Sequence, residues 1–325
     1  MISVVIPIYN EEKNILPMYE RLTAVMDKLN LKREYIYVND GSQDESAVVL
    51  EKLAKEHSDV RFIHFSRNFG HQIAVSAGLD YAEGEKVVII DADGQDPPEV
   101  IEDLYLKSLE GYEVVYAQRE QRKGESFLKK ATAKYFYRIL NRITNIDIPV
   151  DTGDFRIIDR KVVDELVNMP EQHKFLRGQI SWIGFNQTFV TYKRDQRMSG
   201  QTGYTYRKMI RFALDGITSF SNWPLKIATL SGFLFAFIGF ILILYTLWSK
   251  YYSEGYEPGW ASQMITMIFI GGIQLIGIGI IGEYVSRINE NIKGRPLYII
   301  KDSNIPHASN WTTLSMATPL QGVIW

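Results

Sequence analysis

Two long stretches without a charged residue constrain this 325-residue chain more than any other feature. Ile227 to Trp248 covers 22 residues and Pro258 to Gly282 covers 25. At the α-helical rise the first makes about 33 Å of helix, against roughly 30 Å of bilayer hydrocarbon. Core helices of soluble domains are usually shorter and keep one polar side, so both stretches are expected to span a membrane. Their flanks set an orientation. Arg207, Lys208, Arg211 and Lys226 precede the first, and Arg287, Lys293, Arg295 and Lys301 follow the second. The ten-residue connection from Ser249 to Pro258 holds only Lys250, opposed by Glu254 and Glu257. By the positive-inside rule a multi-pass membrane protein with both termini cytoplasmic is expected. Met1 to Asn10 reads as a strand leading into Glu11 and Glu12, so no signal peptide is expected.

With 36 Lys and Arg against 38 Asp and Glu, the net charge of −2 supplies no basic field for a nucleic acid. The absence of cysteine excludes disulfides, thiolate metal sites and cysteine nucleophiles. Ahead of the spans, strands and helices alternate. Strands are expected at Ile2 to Ile8, Tyr35 to Val38, Arg61 to Phe65, Lys86 to Ile90 and Glu113 to Ala117. Helices are expected at Ile15 to Leu29, Asp44 to His57, Gln72 to Ala82 and Glu99 to Leu109. Continuous apolar runs such as Val87-Val88-Ile89-Ile90 suit strands covered on both faces, which predicts an α/β fold with a mostly parallel sheet. A longer helix is expected at Phe127 to Ile143, then a loop near Asp147 to Asp154 and a helix from Lys161 to Asn168.

Open parallel sheets bind ligands at the carboxyl ends of their strands, and those positions are polar here. Pro7, Tyr9, Asn10 and Glu11 follow the first strand, Asn39 to Ser42 the second, and Arg67, Asn68 and His71 the third. The fourth runs into Asp91-Ala92-Asp93-Gly94-Gln95-Asp96-Pro97-Pro98-Glu99. Two carboxylates one residue apart at a strand end, joined by the Gln95 amide, suit Mg²⁺ or Mn²⁺ with phosphate oxygens in the open positions. An isolated Asp-x-Asp is more often a solvated turn; the buried strand before it and the stiff Pro97-Pro98 helix start after it raise the metal reading. Asn39-Asp40-Gly41-Ser42 also reads as a turn capping the next helix.

These motifs, from Ser3-Val4-Val5-Ile6-Pro7-Ile8-Tyr9-Asn10-Glu11 through Arg67-Asn68-Phe69-Gly70-His71 to the Asp91 loop and Glu290-Asn291-Ile292-Lys293-Gly294-Arg295-Pro296, occur in order with the paired spans. Together they resemble the inverting A-type glycosyltransferases, and more narrowly the GtrB-type polyisoprenyl-phosphate glycosyltransferases related to dolichol-phosphate mannose synthase, over roughly Met1 to Lys301. The resemblance implies a Rossmann-like glycosyltransferase domain at 1–200. A juxtamembrane amphipathic helix at 201–224, two spans within 225–284 and a cytoplasmic tail at 285–325 follow. It implies that Pro7, Tyr9, Asn10, Glu11, Asn39, Asp40 and Arg67 hold the nucleotide of a nucleotide sugar, with Asp91, Asp93 and Gln95 at the metal and donor phosphates. It places the acceptor phosphate near Arg119 and Arg122, an active-site carboxylate at Asp154, and a diphosphate-closing role at Arg197 and Tyr204. Family members often carry two acidic residues where this chain has Asn39-Asp40, which puts a charge-dependent role of Asn39 in doubt.

The implied reaction moves a sugar, UDP-glucose being the favoured donor, onto the phosphate of a polyisoprenyl phosphate such as undecaprenyl phosphate. A lipid phosphate stays at the bilayer surface because each buried CH₂ is worth about 0.8 kcal/mol, so the enzyme must come to it. A phosphate monoester is mostly dianionic at neutral pH, which reduces the need for a strong general base. Arginine at the acceptor suits phosphate through its planar fork. Glycines 271, 272, 277, 279 and 282 permit close helix packing, and a homo-oligomer stays open. A processive polysaccharide synthase shares the fold, but the nearest match to its Gln-x-x-Arg-Trp motif, Gln179-Ile180-Ser181-Trp182, lacks the arginine. A membrane-anchored nucleotide-sugar-binding protein without chemistry is the other alternative.

Overall fold

The computed structural model describes residues 1–120, 152–193, 221–252 and 259–306. Its centre is one eight-stranded sheet built from β1 (Ile2–Ile8), β2 (Arg33–Asn39), β3 (Val60–Phe65), β4 (Lys86–Ile89), β5 (Val114–Arg119), β6 (Thr152–Asp159), β7 (Gln187–Tyr192) and β8 (Ile300–Ser303). The strand order is β7-β5-β6-β4-β1-β2-β3-β8. Four pairings are parallel, namely β1 with β2, β1 with β4, β2 with β3, and β5 with β7. β6 runs antiparallel between β4 and β5, and β8 antiparallel beside β3.

Every residue of β1 is buried, as a strand covered on both faces requires. Val4, Ile6 and Ile8 meet α1 (Ile15–Leu29), α2 (Ser46–Glu56) and α4 (Val100–Ser108) on one face. Val5 meets α3 (His71–Tyr81), α5 (Arg160–Asn168) and α6 (Leu176–Ile183) in the core of the other. The helices form where the apolar period changes from two to about 3.6. Thus α1 buries Ile15, Met18, Tyr19, Leu22, Val25 and Met26 and stops at Asn30, whose left-handed φ of 52° ends the helix.

Pro7 sits in a central strand, where a missing N–H normally breaks a ladder. The β4 ladder against β1 ends with Ile90 N–H donating to the Val5 carbonyl, and Asp40 N–H donates to the Ile8 carbonyl from the β2 side. Pro7 therefore directs its bare nitrogen toward the side where pairing has stopped, and the sheet opens there.

The Asp154 segment differs from expectation. Residues 147–151 of the expected loop lie outside the described residues, whereas Thr152–Asp159 is strand β6, registered with Ile89 opposite Arg156 and Tyr116 opposite the same arginine. Because β6 is antiparallel, its first residues reach the rim formed by the last residues of β4 and β5. The expected helix at 127–143 lies outside the described residues.

After Ser221 the chain forms two long helices, α7 (Trp223–Tyr252) and α8 (Trp260–Ile292), both long and apolar enough to cross a membrane. They meet at Phe235 and Phe269, ring centroids 5.6 Å apart, while Leu230, Phe233, Met267 and Leu275 are each more than 70% exposed. Beyond α8 the chain returns to the sheet. β8 pairs with β3, Asn304 bonds the backbone of Phe62 and Val60, and buried Tyr298 stacks on Phe65 with ring centroids 4.9 Å apart. The Tyr298 hydroxyl donates to Asp80 of α3 at 2.6 Å. The segment read as the start of a tail thus supplies an edge strand of the globular domain.

Candidate active site

The carboxyl ends of β1 to β5 and the amino end of β6 open on one crevice. Its first wall joins the β1 and β2 loops. Asn10, at φ 56°, donates its N–H to the Ser42 hydroxyl and accepts from Gln43 N–H at 2.8 Å. Glu11 N–H donates to the Ser46 hydroxyl, and Tyr9 stands 46% exposed at the strand end. Gly41, at φ +67°, admits the β3 loop so closely that a Cβ there would lie 2.4 Å from the Arg67 carbonyl carbon.

Asn39 and Asp40 are both buried and face into the fold. The Asp40 carboxylate accepts from the N–H groups of Phe69, at 2.6 Å, and Gly70, so it fixes the loop leading into α3. Burial pushes its pKa up, against the pull of those two N–H groups. Asn39 accepts from Ser42 N–H through Oδ1 and donates through Nδ2 to Nδ1 of buried His64 at 3.2 Å. That bond requires His64 to carry its proton on Nε2, and a neutral amide is the partner that fits a neutral ring. Exposed Arg67 lays its guanidinium over Phe69, 4.0 Å from the ring centroid.

The centre holds Asp91 and Asp93. Asp93 Oδ1 accepts from Gln95 N–H at 3.0 Å, which folds the loop back on itself. Asp91 Oδ1 is buried without a hydrogen-bond partner, its nearest cation being His71 Nε2 at 3.6 Å. Burial raises the Asp91 pKa to about 6; His71 opposes this, while Asp154, Asp96 and Asp93 reinforce it. The orphaned Asp91 oxygen, with Asp93 two residues on, offers the oxygen donors that a hard divalent cation takes. Among the described residues no group of three or more His, Asp or Glu side chains is placed to hold a metal ion, so a cation here would rest on Asp91 and Asp93 with the remaining positions left to other ligands.

Asp154 accepts four side-chain hydrogen bonds. Its Oδ2 accepts from His71 Nε2 at 3.0 Å and Gln72 Nε2 at 3.1 Å. Its Oδ1 accepts from Arg177 Nε at 3.0 Å and Arg156 at 3.1 Å. Burial alone would raise its pKa, but Arg177, His71 and Arg156 hold it well below the usual carboxylate range. Asp154 thus ties β6 to α3 and α6 through its four donors. His71, resisted by burial, is raised to about 9 by Asp91 and Asp154, so it enters the crevice as a cation.

Arg119 ends β5 opposite Tyr192 at the end of β7. Its Nε donates to the Tyr192 hydroxyl at 3.2 Å and its Nη2 approaches fully buried Asp96 at 3.4 Å. Gly153 leaves it room, since a Cβ there would lie 2.7 Å from Nη2.

The structure thus gathers Asp91, Asp93, Gln95, Arg119 and Asp154 around one opening and lines its rim with Tyr9, Asn10, Glu11 and Arg67. Pro7, Asn39 and Asp40 shape the walls from within. Arg122, Arg197 and Tyr204 lie outside the described residues. His71 and Asp96 stood inside noticed motifs without an assigned role, and Gly153 and Arg156 lie beside Asp154 in the sequence. Gln72 was read only as the start of a helix, and Arg177 and Tyr192 were missed because α6 and β7 bring them in from segments with no motif.

The family model for glycosyl transferase family 2 matches residues 3–167, and that for the GtrB C-terminal hairpin matches residues 223–288. The chain is 49% identical to the glycosyltransferase YkcC of Bacillus subtilis, over 93% of each chain. It is 39% identical to the prophage bactoprenol glucosyl transferase homolog of Escherichia coli, over 92% of this chain and 98% of that one. To the SfII prophage-derived bactoprenol glucosyl transferase of Shigella flexneri it is 38% identical, over 93% and 98%.

Proposed function

Since the chain belongs to glycosyl transferase family 2 and is a glycosyltransferase with a GtrB-type C-terminal hairpin, we propose that it transfers glucose from UDP-glucose to undecaprenyl phosphate at the cytoplasmic membrane face. The observation that carries this reading is the union of two features in one chain. A crevice of carboxylates and arginines suited to a diphosphate and a phosphate lies in the same domain to which the apolar hairpin returns through β8. The near-full-length similarity to bactoprenol glucosyl transferases supports the choice of acceptor and sugar.

In the proposed reaction a phosphate oxygen of the lipid attacks the anomeric carbon from the face opposite the leaving group. The C–O bond to the diphosphate breaks, UDP departs with the electron pair, and the anomeric centre inverts. Asp91 and Asp93, with the Gln95 amide, would hold a Mg²⁺ or Mn²⁺ ion, which when bound neutralises charge building on the departing diphosphate. Arg119 balances the acceptor charge, and cationic His71, anchored by Asp154, lies beside Asp91 where the two substrates' charges converge. The residues position and neutralise; the dianionic nucleophile needs no proton removed.

The test is incubation of the purified protein with labelled UDP-glucose, undecaprenyl phosphate and Mg²⁺ or Mn²⁺, with and without chelator. Label in the organic phase, released by mild acid and abolished by chelator, is the expected outcome. Absence of lipid label with donor binding intact would overturn the assigned chemistry.

A further inference from the structure

Behind Arg119 stands an arrangement that the reaction above does not use directly. The Tyr192 hydroxyl accepts from Arg119 Nε and donates its own proton to Asp96 Oδ1, while Asp96 Oδ2 faces Arg119 Nη2. The direction of every bond is fixed, because arginine only donates and a carboxylate only accepts. Asp96 is fully buried and Tyr192 is 5% exposed, with its ring edge-on to Phe155 at 6.0 Å between centroids. Arg119 keeps 32% of its side-chain surface open to the crevice. One edge of the guanidinium is thus gripped from inside the protein, which leaves the rest of the fork facing outward.

Two further observations point the same way. Arg119 and Tyr192 are register partners on parallel strands, and Glu120 N–H donates to the Tyr192 carbonyl just beyond, so the strand ends hold the pair together. On the opposite strand Gly153 lacks the one atom that would collide with Nη2. Asp96 also follows directly on the loop carrying Asp91, Asp93 and Gln95, so the donor loop and the acceptor arginine share a buried joint.

We propose that Tyr192 is a positioning residue that, with Asp96 behind it and Gly153 clearing the space, aims Arg119 at the acceptor phosphate. The inference rests on the reading that Arg119 meets that phosphate. An aimed fork gives two directed bonds to phosphate oxygens, whereas an unaimed one gives only a nearby charge.

The experiment uses the full chain in detergent with UDP-glucose and undecaprenyl phosphate, measuring KM for each substrate separately. Tyr192→Phe keeps the ring and removes the hydroxyl. It is expected to lower kcat/KM for undecaprenyl phosphate about tenfold while KM for UDP-glucose stays within about twofold. Gly153→Ala, a second variant that leaves Tyr192 in place, is expected to shift the same acceptor parameter. In the Arg119→Ala background, Tyr192→Phe should add no further acceptor loss, a coupling that loss of packing would not produce. If Arg119→Ala lowers acceptor kcat/KM and the Tyr192 effect is absent or simply multiplies with it, the inference fails while the reading of Arg119 survives. If Arg119→Ala leaves acceptor kcat/KM unchanged, both fall.

Discussion

Replacing Asp154 by alanine tests whether its carboxylate is a scaffold anion. The substitution removes the acceptor of four hydrogen bonds, from His71, Gln72, Arg156 and Arg177. Its largest consequence falls on Arg156, whose side chain is 1% exposed and whose Nη1 already has no hydrogen-bond partner. Two backbone carbonyls, of Gly153 and Asp154, would still accept from that guanidinium, but its ion-pair partner would be gone and Asp91 alone would act on it from a greater distance than a salt bridge. Breaking a buried pair from one side costs about 3 to 5 kcal/mol, because the surviving charge remains buried. For a domain of this size about 1 kcal/mol moves the melting temperature by 2 to 4 °C, so a fall of roughly 6 to 20 °C is expected. Intrinsic fluorescence during a thermal ramp of the full chain reads it. Adding Arg156→Met removes the stranded charge and should recover most of the loss. A single variant that melts within about 2 °C of the parent, or a double variant no better than the single, would refute the argument.

Three other outcomes follow from the geometry. Asp93→Asn should lower turnover by about 10² to 10³ while the melting temperature stays near that of the parent; activity close to wild type would remove Asp93 from the diphosphate site. Burial holds the His64 pKa below 6.5, against Glu51 and Asp302 and with Lys301, and its Nδ1 must remain unprotonated to accept from Asn39. A base with a lowered folded pKa leaves stability unchanged above 6.5 and removes it as pH falls below 6.5, since the unfolded chain takes the proton first. His64→Gln should therefore lose less melting temperature between pH 7.5 and 5.5 than the parent, and equal losses would count against the pairing. Tyr298→Ala, which empties the stack on Phe65, should cost about 3 to 5 kcal/mol, whereas Tyr298→Phe should cost about 1 kcal/mol; denaturant melts of the two variants separate packing from the Asp80 bond.

The central half of the fold is legible in the sequence because its signals are local. Strands β1 to β4 are apolar runs buried on both faces, and the helices between them repeat apolar residues with helical spacing, so observed and expected bounds agree within about two residues. β6 carries Asp154 and Arg156 at positions that read as a polar turn, and only pairing with β4 and β5 makes them a strand. β7 is an edge strand among the described residues with Phe189 exposed, so its alternation is weak. At the site, Asp91, Asp93 and Gln95 are adjacent in sequence and announce themselves. The His71–Asp154 and Arg119–Asp96 contacts bridge 83 and 23 residues, and no spacing rule anticipates them. Asp40 shows a subtler limit: its motif is visible, but the loop N–H groups its carboxylate faces are not.

The returning strand β8 also sets a schedule for biosynthesis. Ser303 pairs with Ile63, so the ribosome makes the whole globular region up to β7 and both apolar helices before the exposed flank of β3 can be covered. Until then β3 is an open edge, the kind of surface at which nascent chains pair with the wrong partner. A chain stalled inside the hairpin keeps that edge bare and lacks Tyr298 beneath Phe65. Completion of the sheet therefore comes late in making the protein, after synthesis of both apolar helices.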